Sequence, residues 1–159
     1  MTAHWVQDGP ATTRGGAAVG QLHELPPLER GAILLLRQWC DGAEARLGAL
    51  FVHAFDPATT GRLTSHLDHL VTLLTRHGRR PMIRLDLHSP SFGADEAVFA
   101  HLIAAAMVGD NEDAMAFALT LLPPALAWDA VQFAAPLGHA ILTLARHTDA
   151  RSQPPATFH

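Results

Sequence analysis

Along most of this chain apolar side chains return every three to four positions, the period of a helix that buries one face. The clearest stripe lies over about Ala58–His77, where Leu63, Leu67, Leu70, Val71 and Leu74 fall at i, i+4, i+7, i+8 and i+11. Asp56-Pro57 opens this helix. Gly78 is the expected left-handed cap, and basic residues crowd the last turn, where the helix dipole favours them. Upstream, Pro26-Pro27 starts a helix that runs through Trp39 and stops at Cys40-Asp41-Gly42, and a second helix is predicted over about Ala43–Phe55. Downstream, Asp95 and Glu96 mark the first turn of a helix from about Ala94 to Val108, apolar nearly all round and therefore expected at the centre. Gly109-Asp110 turns the chain into another all-round apolar helix, Asn111–Leu122. Pro123-Pro124 and Pro136 each start one more, ending near Phe133 and His147.

Residues 79–93 break the period. Met82, Arg84, Asp86 and His88 alternate with Ile83, Leu85 and Leu87, as in a strand. With no second strand in view to pair with it, the segment reads as an extended loop or as an edge strand in a dimer. Residues 1–24, with Gly-Pro, Thr-Thr and Gly-Gly pieces and no period, predict a flexible N-terminal arm, and the polar residues 148–159 a flexible tail. Between them, 25–147 predict a single all-α domain, a compact bundle of six or seven short-to-medium helices with one extended loop around 79–93. No second copy of the Gly-Asp helical hairpin follows at a 34-residue period, which argues against a solenoid.

The composition sharpens this picture. A chain of 159 residues, 48% hydrophobic and only 16% charged, can bury a core of its own. So little charge also leaves apolar surface for a partner, and a homo-oligomer is expected. The net charge of −4 speaks against nucleic acid and against acidic membranes. A single cysteine, Cys40, excludes an internal disulfide and suits a reducing cytosol. The longest charge-free runs, Ala114–Trp128 and Ala130–Ala145, are shorter than a membrane span, so a cytoplasmic protein without a membrane partner is predicted. All 11 basic residues are arginine, and tyrosine is absent. Schiff-base chemistry, a P-loop lysine and tyrosine acid–base catalysis are thereby excluded.

Three groups of residues could carry a function. His66, His69 and His77 share one flank of the Ala58–His77 helix with Arg62, and the i, i+3 pair His66/His69 could share a divalent metal. Further ligands would have to come from His53, His101, Asp95 or Glu96; the competing reading is a solvated polar flank. His101, inside an apolar helix, is the candidate buried histidine, with Asp95 or Glu96 as its partner. Arg76, Arg79, Arg80 and Arg84 could converge on the carboxylate or phosphate of a small anionic ligand. Alternatively they complement a helix end and pair with Asp110, Glu112 and Asp113. Asp95 and Glu96, adjacent on a helix, point about 100° apart and form no dyad. Cys40 sits at a helix C-terminus, where the dipole disfavours a thiolate, and Ser89-Pro-Ser91-Phe-Gly93 lacks a nucleophile elbow. No catalytic residue and no required cofactor follow; a divalent metal is the one the histidines leave open.

Leu25-Pro-Pro-Leu-Glu-Arg-Gly-Ala-Ile-Leu-Leu-Leu-Arg resembles the opening of the DNA-binding region of bacterial sigma factors over 13 residues, but no basic recognition helix follows. Arg76-His-Gly-Arg-Arg-Pro, Gly93-Ala-Asp-Glu-Ala-Val-Phe-Ala-His and Gly109-Asp110 resemble a group of uncharacterised all-helical proteins of high-GC proteobacteria, over Leu25 to Arg146. That resemblance implies a bacterial helical domain and assigns no activity. The leading expectation is a non-enzymatic interaction or regulatory protein acting as a homodimer. The alternative is a small-ligand or metal-binding helical protein using the histidine flank or the arginine cluster, and the third a nucleic-acid binder.

Overall fold

The computed structural model describes residues 14–42 and 51–152. The chain is an all-α bundle with one small sheet at its edge. Five helices organise it: α1 (Pro27–Cys40), α2 (Pro57–His77), α3 (Ala94–Met107), α4 (Asn111–Leu121) and α5 (Pro124–Ser152). Residues 51–54 are also helical, at the end of the helix expected over Ala43–Phe55; the rest of that helix lies outside the described residues, as do 1–13 and 153–159.

The helix starts follow their local chemistry. Pro27 occupies the first turn of α1. Asp56 caps α2, its Oδ1 accepting from the Thr59 amide at 2.6 Å, and Asp110 caps α4 by accepting from the Asp113 amide at 3.1 Å. Gly109, at φ 77°, makes the left-handed turn between α3 and α4 that a side chain would resist. The predicted stripe of α2 is buried as a set: Leu63, Leu67, Leu70, Val71 and Leu74. Each such side chain withdrawn from water contributes about 1.5–3 kcal/mol. As expected, α3 lies centrally, against α1, α4 and α5. Much of the apolar character of α4 is taken up within the chain: Ala114, Ala118 and Leu121 are buried, Met115, Phe117 and Leu119 pack half-buried against the core, and Ala116 is exposed.

The expectations fail in four places, each for a physical reason. The two helices predicted after Pro124 and Pro136 are one helix of 29 residues, with Pro136 inside it, so the tail expected from 148 is helical to Ser152. Proline forfeits one hydrogen bond and costs roughly 3 kcal/mol. Burial of Ala134, Leu137, Ala140 and Ile141 on the same helix outweighs that loss. α5 packs against all four other helices, and Gly31 of α1 and Gly138 let two of them approach closely. A Cβ at Gly138 would lie 2.7 Å from that of Met107.

The arm expected over 1–24 is structured from Arg14 onward. A 3-10 turn (Arg14–Gly16), a strand β1 (Ala18–Gln21) and a second 3-10 turn (Leu22–Glu24) precede α1. β1 supplies the pairing partner that the extended segment lacked. It runs antiparallel to β2 (Ser91–Gly93), Ala18 facing Gly93 and Gln21 facing Ser91, with a bulge between Ala18 and Gly20. The alternation over 82–88 nevertheless builds no ladder, because Met82, Arg84 and Leu85 are all buried by the loop's path rather than by a sheet face.

Gly78 is not left-handed. Its φ is −59° and ψ 149°, so α2 ends by running into extended backbone. Glycine is required there by contact instead, since a Cβ would stand 2.5 Å from the Leu74 carbonyl oxygen. His101, expected buried, is exposed and lies against Phe117, with ring centroids 5.4 Å apart. The buried polar positions of α3 are in its first turn instead.

Two glycine substitutions separate these effects. Gly78→Ala should destabilise by about 1–3 kcal/mol, because the backbone carbonyl it meets cannot move aside. Gly61→Ala, exposed in α2 with nothing within 4 Å of the added Cβ, should stabilise by about 0.5–1 kcal/mol. Urea unfolding midpoints measure both, and equal signs for the two would contradict the assigned backbone.

Candidate functional site

Two polar constellations stand out, and they differ in kind. In the first, the charged groups are already paired. The guanidinium of Arg37, on α1, is fully buried against the carboxylate of Glu96, on the first turn of α3, with Nε to Oε2 at 2.6 Å and Nη2 to Oε1 at 3.1 Å. Its remaining donors reach the extended segment: Nη1 donates to the Ser89 carbonyl at 2.9 Å and Nη2 to that of Ser91 at 2.7 Å. Glu96 Oε1 also accepts from the amides of Leu85 and Gly93, at 2.9 and 3.3 Å. One buried pair thus ties α1, the segment before β2, β2 itself and α3 together.

Asp95, its neighbour, is equally committed. Arg80 grips it with both terminal nitrogens, at 2.8 and 2.6 Å, and the Ile83 amide donates to Oδ2 at 2.8 Å. The carboxylate holds the Arg80 guanidinium protonated even more firmly than usual. Gly15 backs onto this pair so closely that a Cβ there would collide with Asp95 Oδ2. The two acids serve different arginines, as their 100° separation on the helix requires. Neither carboxylate is free to take or give a proton in a reaction.

The four arginines proposed as an anion clamp are dispersed by the same network. Arg84 is buried and pairs through Nη2 with Asp41 Oδ1 at 2.7 Å, at the C-terminus of α1. Arg79 caps the end of α4, its amide donating to the Leu121 carbonyl at 2.9 Å and Nε to that of Leu122 at 3.1 Å. Arg80 holds Asp95, and Arg76 is exposed at the end of α2. Asp110, Glu112 and Asp113, their alternative partners, are exposed at the start of α4. Cys40, beside this network, has its thiol pushed up to about 12 by burial, so it stays protonated and un-nucleophilic at neutral pH.

The second constellation has polar groups without assigned work. Between α2 and α5 lies a pocket of about 290 Å³. α2 contributes Thr59, Arg62, Leu63 and His66, at i, i+3, i+4 and i+7, and α5 answers with Pro136, His139, Ala140 and Thr143 at the same spacing. Phe55 closes one side. The walls are mostly apolar, and the small side chain of Ala140 and the ring of Pro136 leave the space unfilled. Arg62 is steadied at the rim, its Nη2 donating to Thr59 Oγ1 at 3.1 Å. Thr143 gives its hydroxyl proton to the His139 carbonyl at 2.9 Å. His66 Nδ1 is buried and has no hydrogen-bond partner among the described residues.

The predicted histidine trio is split. The rings of His66 and His69 flank Phe133 of α5, with centroids 5.8 and 5.1 Å from it, the second nearly parallel at 14°. His69 Nδ1 meets the Ser65 carbonyl at 2.8 Å, and His77 is exposed at the far end of α2. Among the described residues no three His, Cys, Asp or Glu side chains stand close enough to hold a metal ion. Of the predicted residues only His66 therefore enters the pocket, joined by Arg62 from the same flank. His139, Pro136 and Thr143 went unnoticed because they lie some seventy positions away. Their i, i+3, i+7 spacing was the available signal.

The chain matches no protein family, no curated protein and no solved structure. Among the described residues, no helix is long and apolar enough to cross a membrane.

The two constellations make opposite mutational predictions. Glu96→Gln leaves the Arg37 charge buried and uncompensated, and should cost about 3–5 kcal/mol in urea unfolding. His66→Leu deletes a buried nitrogen that has no partner, and should be neutral or stabilise by about 1–2 kcal/mol. A loss of stability on the second change comparable with the first would show that His66 is part of the fold's support.

Proposed function

We propose that this protein is a non-enzymatic binder of a small, largely apolar molecule, seated between α2 and α5. The observation that carries the reading is the pocket itself, where the facing i, i+3, i+4, i+7 sets of α2 and α5 enclose about 290 Å³ lined mostly by apolar surface, with Arg62, His66 and His139 among the lining. His66 adds a buried Nδ1 with no partner among the described residues, a polar group that costs about 1–3 kcal/mol to leave unmatched. The volume bounds the occupant. A cavity of roughly 150 Å³ accepts benzene, so a pocket of about 290 Å³ suits a molecule of about eight to twelve heavy atoms.

The alternatives are less well supported. The arginine clamp is dispersed into ion pairs and helix caps, and much of the apolar character of α4 is taken up within the chain. The two buried carboxylates, engaged with Arg37 and Arg80, support the fold.

A ligand-observed NMR screen with molecules of about eight to twelve heavy atoms tests the proposal. Hits should compete with one another, shift the methyl resonances of Leu63 and Ala140, and disappear in Ala140→Phe, which fills the space. Hits that persist in Ala140→Phe, or none at all with the wild-type chain, would dismiss the pocket as a binding site.

A further inference from the structure

We infer that the molecule taken between α2 and α5 is an organic monoanion, with a carboxylate-type head at Arg62, His66 and His139 and a short apolar body against Leu63 and Ala140. This deepens the pocket reading above and rests on it. The nitrogen groups lining the pocket are one guanidinium and two imidazoles, beside two threonine hydroxyls. Arg62 carries five N–H donors, of which only Nη2 is assigned, to Thr59. His66 Nδ1 is unmatched, and His139 contributes a second imidazole from the opposite helix. Among the described residues, no carboxylate lines the pocket. Asp56, the N-cap of α2 and an electrostatic neighbour of Arg62, is committed to the cap through the Thr59 amide, and that hydrogen bond lowers its pKa.

Arg62 and His66 are one helical turn apart on the same face, and His139 and Thr143 repeat that spacing on α5. A head group entering between the helices therefore meets donors from both sides. The Thr143 hydroxyl has already given its proton to its own helix, so it offers only lone pairs. A cationic head would be repelled by the Arg62 guanidinium, whose acidic neighbour Asp56 is held in the helix cap. A neutral alcohol would satisfy one donor and leave the rest unpaired. A carboxylate accepts from several N–H groups at once and neutralises the guanidinium, the geometry for which arginine is the suited partner. Of the remaining lining, Phe55, Leu63, Pro136 and Ala140 are apolar and the Thr59 hydroxyl already accepts from Arg62, so no second charged group is offered and the ligand is set at one anionic end.

Octanoate, 1-octanol and octylamine share a body and differ only in the head, so calorimetric titration of the full chain with each reads the inference directly. Octanoate should bind at least about tenfold more tightly than octanol, and octylamine more weakly than either. Arg62→Gln, at an exposed position, should weaken octanoate by about tenfold while leaving octanol within about twofold. Octanol binding as tightly as octanoate, or octanoate unaffected by Arg62→Gln, would overturn the anion assignment. Should octanol alone bind, and Ala140→Phe abolish it, the pocket stands and the head-group inference falls. Binding of none of the three would remove both.

Discussion

The fold turns on the burial of one ion pair, Arg37 with Glu96. A guanidinium and a carboxylate withdrawn from water lose several kcal/mol of hydration each, and their mutual attraction recovers this only if every remaining donor and acceptor is also matched. Here they are. Arg37 spends its other donors on the Ser89 and Ser91 carbonyls, and Glu96 accepts the amides of Leu85 and Gly93. The pair thereby serves a stretch of backbone that makes few regular hydrogen bonds of its own. Without it, the carbonyls and amides between α2 and α3 would be buried unpaired, at about 1–3 kcal/mol each.

The second arginine–aspartate contact extends the same arrangement outward. Arg80 and Asp95 pin the beginning of that segment as Arg37 and Glu96 pin its end, and Arg84 joins it to the last turn of α1 at Asp41. The short β1–β2 ladder then closes over the top, with Leu22 donating to the Pro90 carbonyl and Ala94 to that of Ala17. A non-helical strap is thus held to a helical core by charge and by backbone bonds, where its side chains alone would not hold it. The pocket lies between α5 and α2, and none of its lining residues belongs to the strap. That separation matters for reading function, since a polar group consumed by the fold is unavailable to a ligand, whereas His66 Nδ1 is not consumed.

The local chemistry of the sequence determined the helices. The stripe Leu63–Leu74, the caps Asp56 and Asp110 and the turn at Gly109 all lie within a few residues of what they act on, so spacing alone reveals them. It also determined that Asp95 and Glu96 would not act as a dyad, because adjacent positions on a helix diverge. Tertiary contact decided the rest. Whether Pro136 starts a helix or sits inside one depends on what the flanking turns bury, and whether Gly78 is needed for its φ or for its lack of a Cβ depends on where the Leu74 carbonyl lies. His101 and Arg84 exchange the burial their surroundings in sequence suggest, because the side of α3 that carries His101 faces outward while the strap carries Arg84 inward. The pocket, too, joins i, i+3, i+4, i+7 faces some seventy residues apart, and periodicity says which side chains share a face but never which two faces meet.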